Sequence, residues 1–370
     1  MKRFSIVALI LSACFVCGTP AAWAQVIDLG TYPGGSLAEV FDINEHGVAV
    51  GFADLPDGTL RFMMVDLRGP NAPQWFALGN LGGEFIGWNI PCWQCGGVAN
   101  SGLVAGTAAI AGGYGHAFAW TKQSGMVDLG TLGGPTAQSW AEKVNKNGSL
   151  IVGASFGGAL DQDQLPVVWF RDELDGKWKI HQLETVGFEN VTGWLAWSVN
   201  NAGQIVGEGA LGNGINGAFL WNPVPGKREW KIMRLPATAE YPGASLRDIN
   251  EAGEIAGAVF QADFYAVRPA LWKPTATGWD LIILPTLSNS PPDYSWNVAL
   301  GINDAGDMVG TSTTSDWEYL AVRWSKEDPH SIQPLGLPEC WNEVLKVNSN
   351  GIAVGAYGCD SERAVAVRFR

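Results

Sequence analysis

The stretch Ile43-Asn44-Glu45-His46-Gly47-Val48-Ala49-Val50-Gly51 decides the fold, because it occurs seven times. An Asn side chain can accept hydrogen bonds from backbone amides just ahead of it, and a Gly three positions on can take the left-handed conformation that closes a hairpin. The other copies of the turn are Val98-Ala99-Asn100-Ser101-Gly102, Val144-Asn145-Lys146-Asn147-Gly148, Val199-Asn200-Asn201-Ala202-Gly203, Ile249-Asn250-Glu251-Ala252-Gly253, Ile302-Asn303-Asp304-Ala305-Gly306 and Val347-Asn348-Ser349-Asn350-Gly351. Each runs into an apolar strand that reaches a second Gly: Gly51, Gly106, Gly153, Gly207, Gly257, Gly310 or Gly355. The turn glycines are 55, 46, 55, 50, 53 and 45 residues apart, a period that belongs to propellers and solenoids. Two copies depart from the rule. Ala99 replaces the Asn in the second, where Asn100 is the expected partial substitute, and the third carries one extra residue between Gly148 and Gly153, read as a local bulge.

Two further strands flank each hairpin. Upstream lie Val26–Gly30, Trp75–Gly79, Met126–Gly130, Ile180–Glu184, Ile232–Pro236, Leu281–Pro285 and Ile332–Gly336; downstream lie Arg61–Val65, His116–Trp120, Pro166–Phe170, Gly217–Trp221, Pro269–Trp272, Leu320–Trp324 and Val365–Phe369. A four-stranded unit cannot bury both faces alone, so neighbouring units must stack. The downstream strand connects to the next upstream one by a short turn such as 121–125, so those two pair, whereas the long link 131–140 crosses to the next unit. The chain then begins on an outer strand and ends on a third strand, which leaves Val26–Gly30 to complete the last unit beside Val365–Phe369. The expectation is therefore an all-β, seven-bladed β-propeller of four-stranded blades, closed by its N-terminal strand.

Asp28-Leu29-Gly30-Thr31-Tyr32-Pro33-Gly34-Gly35, Asp128-Leu129-Gly130-Thr131-Leu132-Gly133-Gly134, the Asn-x-x-Gly turns and His116-Ala117-Phe118-Ala119-Trp120 together resemble the bacterial extracellular HAF-repeat proteins. The resemblance covers the chain beyond its leader and is best in the first three repeats. It implies a secreted β-rich repeat protein and no established chemistry.

Lys2 and Arg3, the apolar run Phe4–Val16 and the small-residue site Ala22-Trp23-Ala24 have the layout of a cleaved signal peptide, so residues 1–24 are expected to leave and residues 25–370 to form a single propeller domain. A competing reading makes Cys14 a lipid-modified N-terminus. Outside the leader no run approaches the length of a membrane span, so the protein is not expected to be integral to a membrane. With 36 acidic against 23 basic residues the net charge is −13, and −15 once Lys2 and Arg3 are removed. That balance argues against nucleic acid as a partner. In an oxidising compartment Cys92, Cys95, Cys340 and Cys359 are expected to form disulfides. Cys340 and Cys359 fall in loops at the same end of the last unit, which favours their pairing and leaves Cys92 for Cys95.

Several motifs dissolve on inspection. Gly153-Ala154-Ser155-Phe156-Gly157 matches a nucleophile elbow, but that device needs a strand-to-helix turn. The glycines between Gly207 and Gly217 match a dinucleotide pattern without its βαβ unit. His46, His116, His181 and His330 fall in four different repeats without metal-ligand spacing. Asp161-Gln162-Asp163 and Asp172–Gly176 do not supply the alternating oxygen ligands of a calcium loop. No metal, cofactor or catalytic residue is assigned. The remaining candidates are aromatic: the loops opposite the Asn-x-x-Gly turns hold Trp88, Trp93, Trp140, Trp194, Tyr241, Tyr265, Trp296, Trp317 and Trp341, with carboxylates nearby. Flat rings beside carboxylates suit a glycan or a peptide, and the bland alternative is packing between blades. A binding or scaffold protein with a glycan, peptide or cell-surface partner is the leading expectation. A carbohydrate-active hydrolase would need two converging carboxylates, and a structural surface protein would need neither.

Overall fold

The computed structural model describes residues 24–86, 95–157, 164–212, 215–262, 266–287, 295–338, 341–358 and 361–369. They form seven antiparallel sheets, each starting with an inner strand that enters one of the repeated turns. The first blade contains Ala38–Ile43, Val48–Asp54, Thr59–Asp66 and Gln74–Ala77, with a short addition at Phe85–Ile86. The next five blades repeat this order, beginning at Gly96–Val98, Ser139–Val144, Thr192–Val199, Gly243–Ile249 and Val298–Ile302. The seventh consists of Trp341–Val347, Ile352–Gly358, Glu362–Phe369 and, as its outer strand, Ala24–Gly30. That N-terminal strand pairs antiparallel with the C-terminal one, Ala24 opposite Phe369 and Asp28 opposite Val365. The expected ring and its closure are both present. Among the described residues no helix is long and apolar enough to cross a membrane.

Both glycines of the repeat have a steric cause. The turn glycines take φ of +70° to +89°, where a Cβ would be strained. The strand glycines keep ordinary backbone angles and yield space instead: a Cβ on Gly51, Gly153, Gly207, Gly257, Gly310 or Gly355 would sit within 1.8 to 2.2 Å of an inner-strand carbonyl oxygen. That carbonyl is pushed inward by a bulge, which recurs at Val40/Asp42, Ala141/Lys143, Ala196/Ser198, Leu246/Asp248, Ala299/Gly301 and Val344/Lys346. The bulge expected of the third repeat is thus a property of the inner strands of six blades. The extra residue in that repeat lengthens its turn instead, so that Asn145 N donates to Leu150 O, five residues on, where Asn44 N donates to Val48 O, four residues on.

The repeated Asn does more than close its own turn. Its Oδ1 accepts local amides, as in His46 N and Val48 N to Asn44, both 3.0 Å. Its Nδ2 then donates to the backbone carbonyl at the same repeat position of the next blade: Asn44 to Ala99, Asn200 to Asn250, Asn250 to Asn303, Asn303 to Asn348, and Asn348 to Asn44, at 2.9 to 3.1 Å. The last bond spans 304 residues and closes the circle. The second and third blades break the chain. Ala99 has no amide to offer, and Asn145 Nδ2 turns to Ser149 Oγ. Asn100 substitutes in part: its Oδ1 accepts Glu45 N and its own N–H reaches Lys146 O.

Farther from the axis, tryptophans knit blade to blade. Trp169, Trp221, Trp272 and Trp324 are fully buried, and their indole N–H groups donate to Leu129, Glu184, Pro236 and Pro285 carbonyls at the end of the preceding blade's outer strand. The Asp-Leu-Gly and His-Ala-Phe elements meet in the second blade. Asp128 accepts the Gly130 amide and the His116 ring nitrogen Nδ1, and the other ring nitrogen of His116 lies 3.2 Å from Ala137 O in the link to the third blade. Leu129 and Phe118 fill the core beneath them. At the ring closure Asp28 uses Gly30 and Arg363 in the same way.

Deleting Ala24–Gly30 removes one whole strand and the buried Leu29. It should cost at least about 3 kcal/mol and lower the Tm by several degrees; a deletion with an unchanged melting curve would contradict closure by this strand.

Candidate functional site

The axis of the ring is built from three repeat positions. One residue after each Asn position stand Glu45, Asn100, Lys146, Asn201, Glu251, Asp304 and Ser349. Lys146 Nζ joins Glu45 at 2.5 Å and Asp304 at 2.6 Å, bridging the first, third and sixth blades and so crossing the turn-side mouth. Two residues before the Asn position stand Asp42, Gly97, Lys143, Ser198, Asp248, Gly301 and Lys346, opposite charges separated by small residues. Asp42 pairs with Lys143, and Asp248 with Lys346 at 3.1 Å. Lys346 also donates to the Arg247 and Leu300 carbonyls, while Asp248 accepts Ser198 Oγ and Ile302 N. Burial would raise the Asp248 carboxyl, but Lys346, Lys143, Ser198 and the Ile302 amide outweigh it and hold it below its ordinary value. Two charges taken from water stay ionised only with such a full set of partners.

Three residues before the Asn position come Phe41, Gly96, Glu142, Trp197, Arg247, Leu300 and Leu345, which line a cavity of about 80 Å³ on the axis. The Arg247 guanidinium lies 4.1 Å from the Trp197 ring centre. Burial pushes the Glu142 carboxyl up to about 8, Glu208 adding to the rise while Arg247 and Lys346 oppose it. Glu142 is therefore protonated at neutral pH. None of these axial charges was singled out in the sequence, although their spacing from each repeated Asn was the signal.

The aromatic candidates separate into three groups. Trp140 is buried against Phe156, ring centres 5.2 Å apart, beside Cys95 and Ala154. Trp194 is buried against Phe219 and Trp221, its indole donating to Val191 O. Both rings pack between strands and blades and are withdrawn from any ligand, which corrects their reading as candidate contacts. Tyr241 is half-buried against the core of the fifth blade. Trp88, Trp93 and Tyr265 lie outside the described residues, as do Cys92, Cys340 and Cys359; Cys95 is buried.

Trp296, Trp317 and Trp341 are exposed, at 45%, 52% and 37%. All three belong to the sixth and seventh blades, on the face away from the repeated turns. Trp296 N donates to Thr313 Oγ1 of the neighbouring strand, whose hydroxyl donates back to Trp296 O. The loop that follows, Thr314 to Glu318, carries Trp317 at φ +65°, the one non-Gly residue with a positive φ among the described residues. The residue after Trp341, Asn342, accepts Ala321 N and so fixes the seventh blade's edge to the sixth. Asp316, Glu318 and Tyr319 are exposed within the same loop and strand. A bulky residue in the left-handed region is strained, and surrounding bonds must hold it there. Here Trp317 N donates to Thr314 O, and Thr314 Oγ1 accepts Asp316 N and Glu318 N.

Ser155 is buried on a strand with its hydroxyl accepting Leu132 N, a packing role. Among the described residues no group of three or more His, Cys, Asp or Glu is placed to hold a metal.

The fold and this surface define a seven-bladed propeller with a charge-filled axis and three exposed tryptophans on one face. No family model and no curated protein matches the chain. Among solved structures it is similar to a mutant of the Aleuria aurantia lectin in complex with alpha-methyl-L-fucoside (TM-score 0.41, 13% identity, covering 85% of this chain and 99% of that one). It is also similar to the BP39L lectin from Burkholderia pseudomallei (0.45, 11%, 84% and 83%) and to Porphyromonas gingivalis dipeptidyl peptidase 4 (0.44, 10%, 90% and 58%). The ligand question rests on this chain's own residues.

The folded value of Glu142 lies above its ordinary 4.5, so its contribution to stability is complete below about pH 4.5 and is lost as the pH rises toward 8. Between about pH 5 and 8 the native protein should lose on the order of 3 kcal/mol that Glu142→Gln keeps; urea midpoints with equal pH slopes in the two proteins would contradict this.

Proposed function

We propose that the protein is an exported, non-catalytic glycan-binding propeller that holds a neutral sugar against Trp296, Trp317 and Trp341. The observation that carries this reading is Trp317, a large ring at once exposed and held in a strained backbone conformation. Burial does not explain the strain, because the ring is out in solvent. Presentation of the ring does. Sugar rings stack their C–H faces on indoles, and the exposed Asp316 and Glu318 beside it accept hydrogen bonds from hydroxyl groups. Export rests on the leader of residues 1–24, and the HAF-repeat resemblance is in keeping with it. A peptide is the alternative ligand.

A glycan array on residues 25–370 reads the ligand class directly. Trp317→Ala should weaken the bound glycan about tenfold or more and leave stability within about 0.5 kcal/mol. Trp140→Ala should instead cost roughly 3 to 5 kcal/mol of stability. Binding that survives loss of Trp317, Trp296 and Trp341 together would refute the site, and capture of peptides but no glycan would refute the ligand.

The export proposal extends to the cysteines. Trp341 and Gly358 are directly opposed partners on adjacent strands, and Cys340 and Cys359 are the residues next to them in sequence. Peptide mapping without reduction should recover Cys340 joined to Cys359 and Cys92 joined to Cys95; a Cys92 to Cys340 link would refute the local pairing.

A further inference from the structure

The face with the repeated turns holds a groove of about 620 Å³ between the first, second and third blades. On its first-blade side the asparagine bond to the second blade is kept, and on its third-blade side it is missing. Ala99 sends no amide to the third blade, and Asn145 turns to its own Ser149. Trp120 occupies the same register as the four wedging tryptophans, two residues past the partner of the repeat Gly. It makes no indole hydrogen bond to a preceding blade among the described residues, and it lines the groove half-buried beside Met64. Repeat rules broken together at one place mark a site where another requirement prevails.

The charge of the groove is the second observation. Its ionisable lining residues are His46, Arg68, Lys122 and Arg171, with no Asp or Glu among them, in a chain carrying 36 acidic and 23 basic residues. Asp66 lies outside the lining and orients Arg68 through two bonds of 2.7 Å. Arg171 is held over the Trp178 ring at 4.8 Å and donates to Gly176 O. Lys122 is exposed and has no ion-pair partner among the described residues. Two arginines are thus held in place and a lysine is left available, around an indole.

We infer that this groove binds an oligosaccharide carrying carboxylates, a uronate chain, with a sugar ring on Trp120 and its carboxylates among Arg68, Lys122 and Arg171. The indole supplies a stacking platform; Arg171 and Lys122 supply the positive charge that a carboxylate needs, and Arg68, whose Nε and Nη2 already hold Asp66, adds the donors that Asp66 does not use. The volume admits about two or three sugar rings. An acidic peptide would answer to the charge but would leave the indole without its ring partner. The site is independent of the three exposed tryptophans on the other face, so a protein that uses both would bridge two glycans of different charge.

The test is calorimetric titration of residues 25–370 with tri-galacturonic acid, its methyl ester and hexa-aspartate, at low and at physiological salt. Tri-galacturonic acid should bind, more weakly at higher salt, and the uncharged ester should bind at least about tenfold more weakly, the loss of one charge-assisted contact. Lys122→Ser/Arg171→Ser should lose about tenfold or more in affinity while melting as the parent does, and Trp317→Ala should bind tri-galacturonic acid unchanged. Absence of binding, an ester that binds equally well, a Lys122→Ser/Arg171→Ser protein that binds as the parent does, or a preference for hexa-aspartate would each overturn the assignment. Loss of the neutral glycan in Trp317→Ala with this binding intact would show that the two sites stand or fall separately.

Discussion

The hydrogen bond from each turn asparagine to the carbonyl of the next blade is the constraint on which the rest of the ring depends. It links the same repeat position from blade to blade, and so it fixes the distance and rotation between neighbouring blades. The amide is buried, and a buried amide group left without a partner is costly; each of the five turns that make the bond is therefore stabilised by its neighbour. Five of the seven steps are made, including the one from Asn348 to Asn44 that joins the ends of the chain. The outer strand exchange between Ala24–Gly30 and Glu362–Phe369 secures the same closure at the rim.

The contents of the axis follow from that register. Once the asparagines are locked, the residues one after, two before and three before each of them come to the axis in stacked layers. The layer two before alternates Asp42, Lys143, Asp248 and Lys346 with Gly97, Ser198 and Gly301, so the charges have room to reach their partners across the axis. The layer one after is crossed by Lys146. What remains is a small cavity around Glu142, Trp197 and Arg247. An axis filled in this way leaves the two outer faces as the surfaces for larger ligands.

The sequence revealed the seven repeats, the four strands per blade and the N-terminal closure, because turn chemistry and hydrophobic alternation are local and repeat with a fixed period. It was less informative wherever a role depends on the neighbouring blade. The turn Asn was legible as a turn residue, but its second bond crosses to a residue in the next repeat, 50 positions on from Asn200 and 53 from Asn250. Trp140 and Trp194 sit in loops by sequence, and only the packing of Phe156 and Phe219 against them shows that they are core. Trp317 was legible as a loop aromatic, while its left-handed backbone was not, since nothing in Ser315-Asp316-Trp317-Glu318 marks it. The basic groove was hidden because Arg68, Lys122 and Arg171 come from three different blades.

The most direct measurement compares Asn348→Ala with Asn145→Ala by urea denaturation. Both asparagines close their own turns, but Asn348 also reaches the next blade and Asn145 does not. If the inter-blade bond governs the ring, Asn348→Ala should be less stable than Asn145→Ala by about 1 to 2 kcal/mol. Equal losses in the two variants would contradict it.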